Sequence, residues 1–253
     1  MLRKFLRTRA AASPPAPAIP PGERVYAIGD VHGRLDLLDQ LLSAIDADDA
    51  AHDPATTTIV FLGDLVDRGP DSAGVVERVR RISASRPDVR LLLGNHEEVF
   101  LAALDGDLKA VRLFCRIGGR ETALSYGITA EAYETMDHGE LAEALKRVVP
   151  EAHRALLAAG SDMEVIGDYA FVHAGVHPDR ALEDQRGADL RWIRDPFLDH
   201  RGRLAKTVVH GHTISDDAEF RPHRIGIDTG AYATGRLTAL GLEADRSWQL
   251  HTG

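Results

Sequence analysis

The chain has 253 residues, with 30 Lys and Arg against 39 Asp and Glu for a net charge of −9, and 44% hydrophobic residues. That length predicts one large domain or two small ones with a sizeable core, which excludes wholesale disorder, and no apolar run approaches the roughly 18 residues of a membrane-spanning helix. The acidic balance argues against a nucleic-acid scaffold, except where bound divalent cations reverse the local field.

Residues 1–22 carry Arg3, Lys4, Arg7 and Arg9, no acid, and then a run of prolines. They read as a disordered basic arm outside the fold, with an organelle-targeting peptide as the other reading. The remainder, 23–253, reads as one folded domain. Val25–Ile28, Thr58–Leu62 and Val89–Leu93 have the pattern of buried strands. Between them, Leu35–Ile45 and Ser72–Ile82 repeat apolar residues at helical spacing. Residues 97–160 read as a helical block interrupted at Gly118-Gly119 and Gly139. Strand signals return at Tyr169–His173, Thr207–His210, Ile225–Asp228, Leu237–Leu242 and Trp248–Leu250. Strands alternating with helices predict a layered α/β domain.

Cys115 is the single cysteine. It can form no internal disulfide and leaves no thiolate framework, so any metal must take nitrogen and oxygen ligands; a reducing, cytoplasmic location is expected.

Five segments share one design, an apolar strand running into a tight polar turn: Gly29–Gly33 (GDVHG), Gly63–Gly69 (GDLVDRG), Gly94–Glu97 (GNHE), His173–Gly175 (HAG) and Gly211–Thr213 (GHT). Ligands of open α/β folds collect outside the carboxyl ends of strands. Asp30 and His32 are two apart and project to one side of an extended chain, where they can share a cation. Asp30, His32, Asp64, Asn95, His173 and His212 make a mixed nitrogen and oxygen set large enough for two divalent ions, and suit manganese, iron or zinc better than an all-oxygen cage. Each has a plainer reading. Asp30 and Asp64 can cap helices, Asn95 can form a turn, and Asp67 and Arg68 can pair with each other.

Three long blocks in this order, followed by HAG and GHT, resemble the phosphoprotein phosphatase family of dinuclear metallophosphatases. The likeness spans about Val25 to Ala231. It implies a central β-sandwich of mixed sheets flanked by helices, with two metals at the sheet edge. Position by position, it implies Asp30 and His32 as ligands of one metal, Asp64 as the bridge, and Asn95, His173 and His212 as ligands of the other. A hydroxide bound to both metals would attack phosphorus in line. His96 matches the general acid and Asp67 the carboxylate that keeps it protonated. Arg68 matches the phosphate-binding arginine; Arg194, in a shorter block, resembles a second one. Glu97 is read as supporting its turn, and His210 stays off the ligand list.

The resemblance implies a protein serine/threonine phosphatase, with manganese as the expected ion and iron or zinc as alternatives. The nearest rival is a dinucleoside polyphosphate hydrolase acting on diadenosine tetraphosphate, since such enzymes resemble the same phosphatases. Those relatives typically carry Ala at the position of Asp67, which tilts the reading towards monoesters. A third reading is a phosphate-binding module without turnover. The sequence sets no oligomeric state.

Overall fold

The first strand decides how the layers stack. In the computed structural model, which describes residues 16–253, β1 (Glu23–Ile28) turns Val25 and Ala27 to one face and Tyr26 and Ile28 to the other, all fully buried. A strand apolar on both faces must be covered on both. Tyr26 and Ile28 pack with the helices; Val25 and Ala27 pack towards a second sheet.

The first half alternates strictly: α1 (Leu35–Ala51), β2 (Thr56–Phe61), α2 (Ser72–Ser85) and β3 (Val89–Leu91). β1, β2 and β3 pair in parallel. Six helices follow: α3 (Asn95–Leu104), α4 (Leu108–Ile117), α5 (Gly119–Ser125), α6 (Ala130–Thr135), α7 (His138–Val148) and α8 (Glu151–Ala158). They are the expected helical block, with one change. Gly118, at φ 114°, does end α4, whereas Gly139 lies inside the first turn of α7, where Asp137 caps its N–H.

The second half supplies β4 (Met163–Ile166), β5 (Tyr169–Val172), α9 (Gly187–Trp192), α10 (Asp195–Leu198), β6 (Thr207–His210), β7 (Glu219–Phe220), β8 (Arg224–Gly226), α11 (Ala231–Thr234), β9 (Thr238–Glu243) and β10 (Arg246–His251). One sheet has the order β10-β9-β1-β2-β3 and the other β4-β5-β6-β8-β7. Each is mixed: in the first, parallel β1, β2 and β3 carry antiparallel β9 and β10 on one side, and in the second, parallel β5, β6 and β8 are flanked by antiparallel β4 and β7. This is the expected α/β sandwich. Val60, Leu62, Phe171, Val209, Ile227 and Leu240 fill the layer between the sheets. The parallel strands of both sheets end at the same edge, where the polar turns gather.

Three expectations are corrected. Residues 16–22 are not a detached arm: Ile19 is buried and donates its N–H to Ala244 O at 2.8 Å, and Ala18 O accepts from Asp168 N at 2.9 Å. The expectation for residues 1–15 lies outside the described residues. β3 stops at Leu91, because Leu92 and Leu93 turn to bridge Ser161. β4 and β7 carried no readable signal, being short edge strands with exposed Val165 and Phe220.

Candidate metal centre

The polar turns are built under local strain. His32, Asp64, Asp67, Arg68 and His212 all have positive φ, and Ala244 is the one other non-glycine residue to do so among the described residues. Such a conformation costs about 1–3 kcal/mol per residue and persists only where surroundings enforce it. Here the loops enforce one another. Val31 N and His32 N both donate to Asp64 O, at 3.1 and 2.8 Å, and Gly33 N donates to Leu65 O at 2.8 Å. Close approach requires glycine twice: a Cβ on Gly94 would run into Oδ1 of Asp64, and one on Gly211 into Oδ1 of Asp30.

Asp64 is the centre. Its carboxylate is shared by two groups of possible ligands, one with His32 and His96 and one with His173 and His212. His32 Nε2, His173 Nε2 and His96 Nε2 lie 3.6, 3.4 and 3.9 Å from Oδ2. Burial opposes its charge, but the facing imidazoles and the His96 backbone N–H hold it well below the ordinary carboxylate range. Asp64 caps neither α1 nor α2, which begin after Arg34 and Asp71; the helical N–H it accepts from is that of His96 in the first turn of α3.

The imidazoles are held neutral, as metal ligation would require. His32 Nδ1 donates to Val66 O at 2.7 Å and His173 Nδ1 to Leu62 O at 2.8 Å. Such outer hydrogen bonds fix the tautomer and leave Nε2 as the donor to a metal. Burial pushes the pKa of His32 and of His212 down to about 3, and lowers that of His173. His212 Nε2 is buried without any hydrogen-bond partner. Asn95 Oδ1 is 2.9 Å from His173 Nε2. Asp30 stands a step further out, accepting from His212 N at 3.1 Å on both oxygens. Neutral nitrogens, an orphaned imidazole nitrogen and converging carboxylates fit two divalent cations.

Asp228 belongs with this set and was not singled out from the sequence. It is buried beside Asp30, and its pKa is pushed up to about 6, first by burial and also by the charge of Asp64. Asp30 is raised well above the usual range by burial, Asp228 and Asp64. Its signal was a sixth strand end of the same design, Ile227-Asp228-Thr229-Gly230.

Asp67 and Arg68 do not pair with each other. Asp67 Oδ2 accepts from His96 Nδ1 at 2.6 Å, and its Oδ1 accepts from Thr122 Oγ1 at 2.7 Å. Burial alone would lower the His96 pKa, but Asp64 and Asp67 raise it above the ordinary histidine value. Arg68 places NH1 2.9 Å from His32 Nε2 and NH2 2.9 Å from His96 Nε2. A neutral imidazole has one lone pair, so a cation held by His32 would take the place of that contact and leave the guanidinium available to an anion. Arg194 is exposed on the other flank, 3.4 Å from Oγ1 of Thr213, the residue that follows His212.

Glu97 is wholly structural in its contacts. Its carboxylate accepts from the backbone N–H groups of Asp64, Leu65, Val66 and Gly94 at 2.7 to 3.2 Å. His210 is buried away from the cluster, between Gly211 O and Arg224. The helical block contributes more than its sequence suggested: Gly118 O accepts from Arg68 N at 3.0 Å, and Thr122 accepts from Asp67 N at 2.8 Å.

Comparison with known proteins agrees with this architecture. The family model described as calcineurin-like phosphoesterase matches residues 23–237. A protein named bis(5'-nucleosyl)-tetraphosphatase PrpE (asymmetrical), from Bacillus mycoides strain KBAB4, is 27% identical over 84% of this chain and 88% of its own length. A symmetrical bis(5'-nucleosyl)-tetraphosphatase of Paracidovorax citrulli strain AAC00-1 is 34% identical over 71% of this chain, which spans 50% of that relative. A crystal structure provisionally described as a diadenosine tetraphosphatase superposes with a TM-score of 0.61 over 94% of this chain and 99% of the other. At 24% identity that last likeness is one of fold.

Proposed function

Because the chain belongs to the calcineurin-like phosphoesterase family, it is a phosphoesterase with a dinuclear metal site, and we propose that its substrates are dinucleoside polyphosphates such as diadenosine tetraphosphate. The observation that carries this reading is the likeness, over most of both chains, to the protein named as an asymmetrical tetraphosphatase. The two arginines support it. Arg68 lies on the His32 side of Asp64 and Arg194 on the His212 side, so positive charge flanks the site in a way that suits a run of phosphates.

Asp30, His32 and Asp64 would hold one cation, and Asp64, Asn95, His173 and His212 the other. Two divalent ions, manganese being our choice among those this donor set suits, supply the charge that activates water and neutralises the phosphoryl oxygens. The chain's own groups do the rest. Arg68 grips non-bridging oxygens with its planar fork. Asp67, fixed by Thr122, holds His96 by Nδ1, so that Nε2 points at the leaving oxygen and delivers a proton there.

The Asp67–His96 contact also favours a second reading, a phosphoserine or phosphothreonine monoesterase. An alkoxide leaving group needs that proton far more than a nucleotide leaving through a phosphate oxygen does. The test is kcat/KM of the manganese-loaded protein on diadenosine tetraphosphate and on a phosphothreonine peptide, with nucleotide products identified. A preference of tenfold or more for the dinucleotide upholds the proposal. The reverse preference moves the assignment to protein monoesters.

A further inference from the structure

We propose that the groove between the start of α1 and α11, bounded by Arg68 and Tyr232, is a nucleoside subsite that seats a base and ribose next to the reacting phosphate. The inference rests on the phosphoesterase reading above and adds where the nucleoside goes.

Tyr232 is one of only five tyrosines in the chain, and it is 36% exposed on the short helix that follows the Asp228 turn. On the catalytic side His32 meets its ring edge-on at 5.5 Å between centroids, and Arg68 Cζ lies 5.0 Å from its centre. The residue also lines an open cavity of about 640 Å³ that reaches Arg68. That volume lies in the range of small-molecule sites and exceeds what a lone phosphoryl group fills.

The rest of the wall suits a nucleoside. Leu35 and Pro70 add apolar surface. Arg34 NH1 donates to Ala231 O at 2.9 Å, which ties the aromatic wall to the start of α1. Asp36 lines the same space, held by Arg34 at 2.7 Å, and its exposed carboxylate can accept from ribose hydroxyls. Two further acids border the groove but are engaged: Asp71 accepts from Gly74 N, and Asp39 pairs with Arg78. The groove therefore offers a guanidinium for phosphate beside the metal ligands, an aromatic ring for a base and a carboxylate for sugar hydroxyls. An aromatic wall gives a bare phosphate nothing; it gives a base a stacking partner.

The experiment compares wild type, Tyr232→Ala and Tyr232→Trp as full-length, manganese-loaded protein. Two quantities are read: the ratio of kcat/KM for diadenosine tetraphosphate to that for p-nitrophenyl phosphate, and the calorimetric affinities for ADP and for inorganic phosphate. Tyr232→Ala is expected to lower the ratio by about 5- to 100-fold, the range one base–aromatic stack supplies, chiefly through KM. ADP affinity falls by at least fivefold more than phosphate affinity, and Tyr232→Trp restores both. Equal losses on the two substrates, or equal losses of ADP and phosphate binding, would mean that the ring only props Arg68, and would overturn the subsite. If wild type leaves the dinucleotide uncleaved, the substrate reading fails, and the comparison of ADP with phosphate still decides the groove.

Discussion

His96 Nδ1 donates to Asp67 Oδ2 at 2.6 Å, and both side chains are buried. The contact leaves Nε2, which here faces the Arg68 guanidinium at 2.9 Å, as the ring nitrogen turned towards the site, and it ties the acid strength of His96 to a carboxylate held by Thr122.

The first prediction concerns leaving groups. His96→Asn should cost about 100- to 10,000-fold in kcat on a phosphothreonine peptide, where the departing alkoxide needs a proton, and less than about tenfold on p-nitrophenyl phosphate. Steady-state kinetics on the two substrates checks this. Losses of equal size would deny His96 the role of acid.

Thr122→Val removes a donor to Asp67 and one of the two acceptors of its backbone N–H, the other being Ser72 Oγ, all in the interior. We expect about 1–3 kcal/mol of lost stability in urea unfolding. The His96-dependent rate on the phosphothreonine peptide should also fall, by at least threefold. Val keeps the shape, so an unchanged rate would show that Thr122 does not position Asp67.

Glu97→Gln replaces one acceptor oxygen with a donor that faces backbone N–H groups. A buried clash of donors costs about 1–3 kcal/mol, so the melting temperature should drop by several degrees. Cation affinity should weaken with it, because the Asp64 loop hangs from that carboxylate.

Asp228 makes one separable contribution to the pH dependence of the metal-free protein, because burial raises its pKa to about 6. A carboxyl whose folded value exceeds its unfolded value of about 4 favours folding when protonated, so this contribution is present at low pH and is lost between about pH 4 and 6.5, by on the order of 2–3 kcal/mol. The buried histidines act in the opposite sense: His32 and His212, lowered to about 3, favour folding when neutral and stabilise the protein as the pH rises through about 6.5. Asp228→Asn isolates the carboxyl. On melting curves, chelator-treated wild type should lose stability relative to this variant between pH 5 and 7.5, and manganese should cancel the loss. A wild type that gains stability relative to the variant over that range would contradict the sign.

The sequence revealed the ends of β1, β2, β5 and β6 because each carries its own signature: an apolar run on two buried faces, then glycine and a ligand type. All ten predicted site residues reach this edge of the fold, with Arg194 at its rim. What was hidden depends on contacts distant in the chain. Thr122 is 55 residues from Asp67 and looked like one more helical residue. Asp228 ended a strand whose turn lacks a histidine. Ile19 sat among prolines that read as an arm, and only the partner backbone at Ala244 makes it core. Edge strands such as β4 are only partly buried and leave little period to detect.

The central claim is that one carboxylate, Asp64, serves two cations. The direct measurement is manganese content per chain, by elemental analysis after dialysis, together with phosphoesterase activity for wild type and Asp64→Asn. The account predicts two ions per wild-type chain, and fewer than one in the variant with hydrolysis reduced at least a thousandfold. Retention of two ions and of wild-type turnover in Asp64→Asn would contradict it.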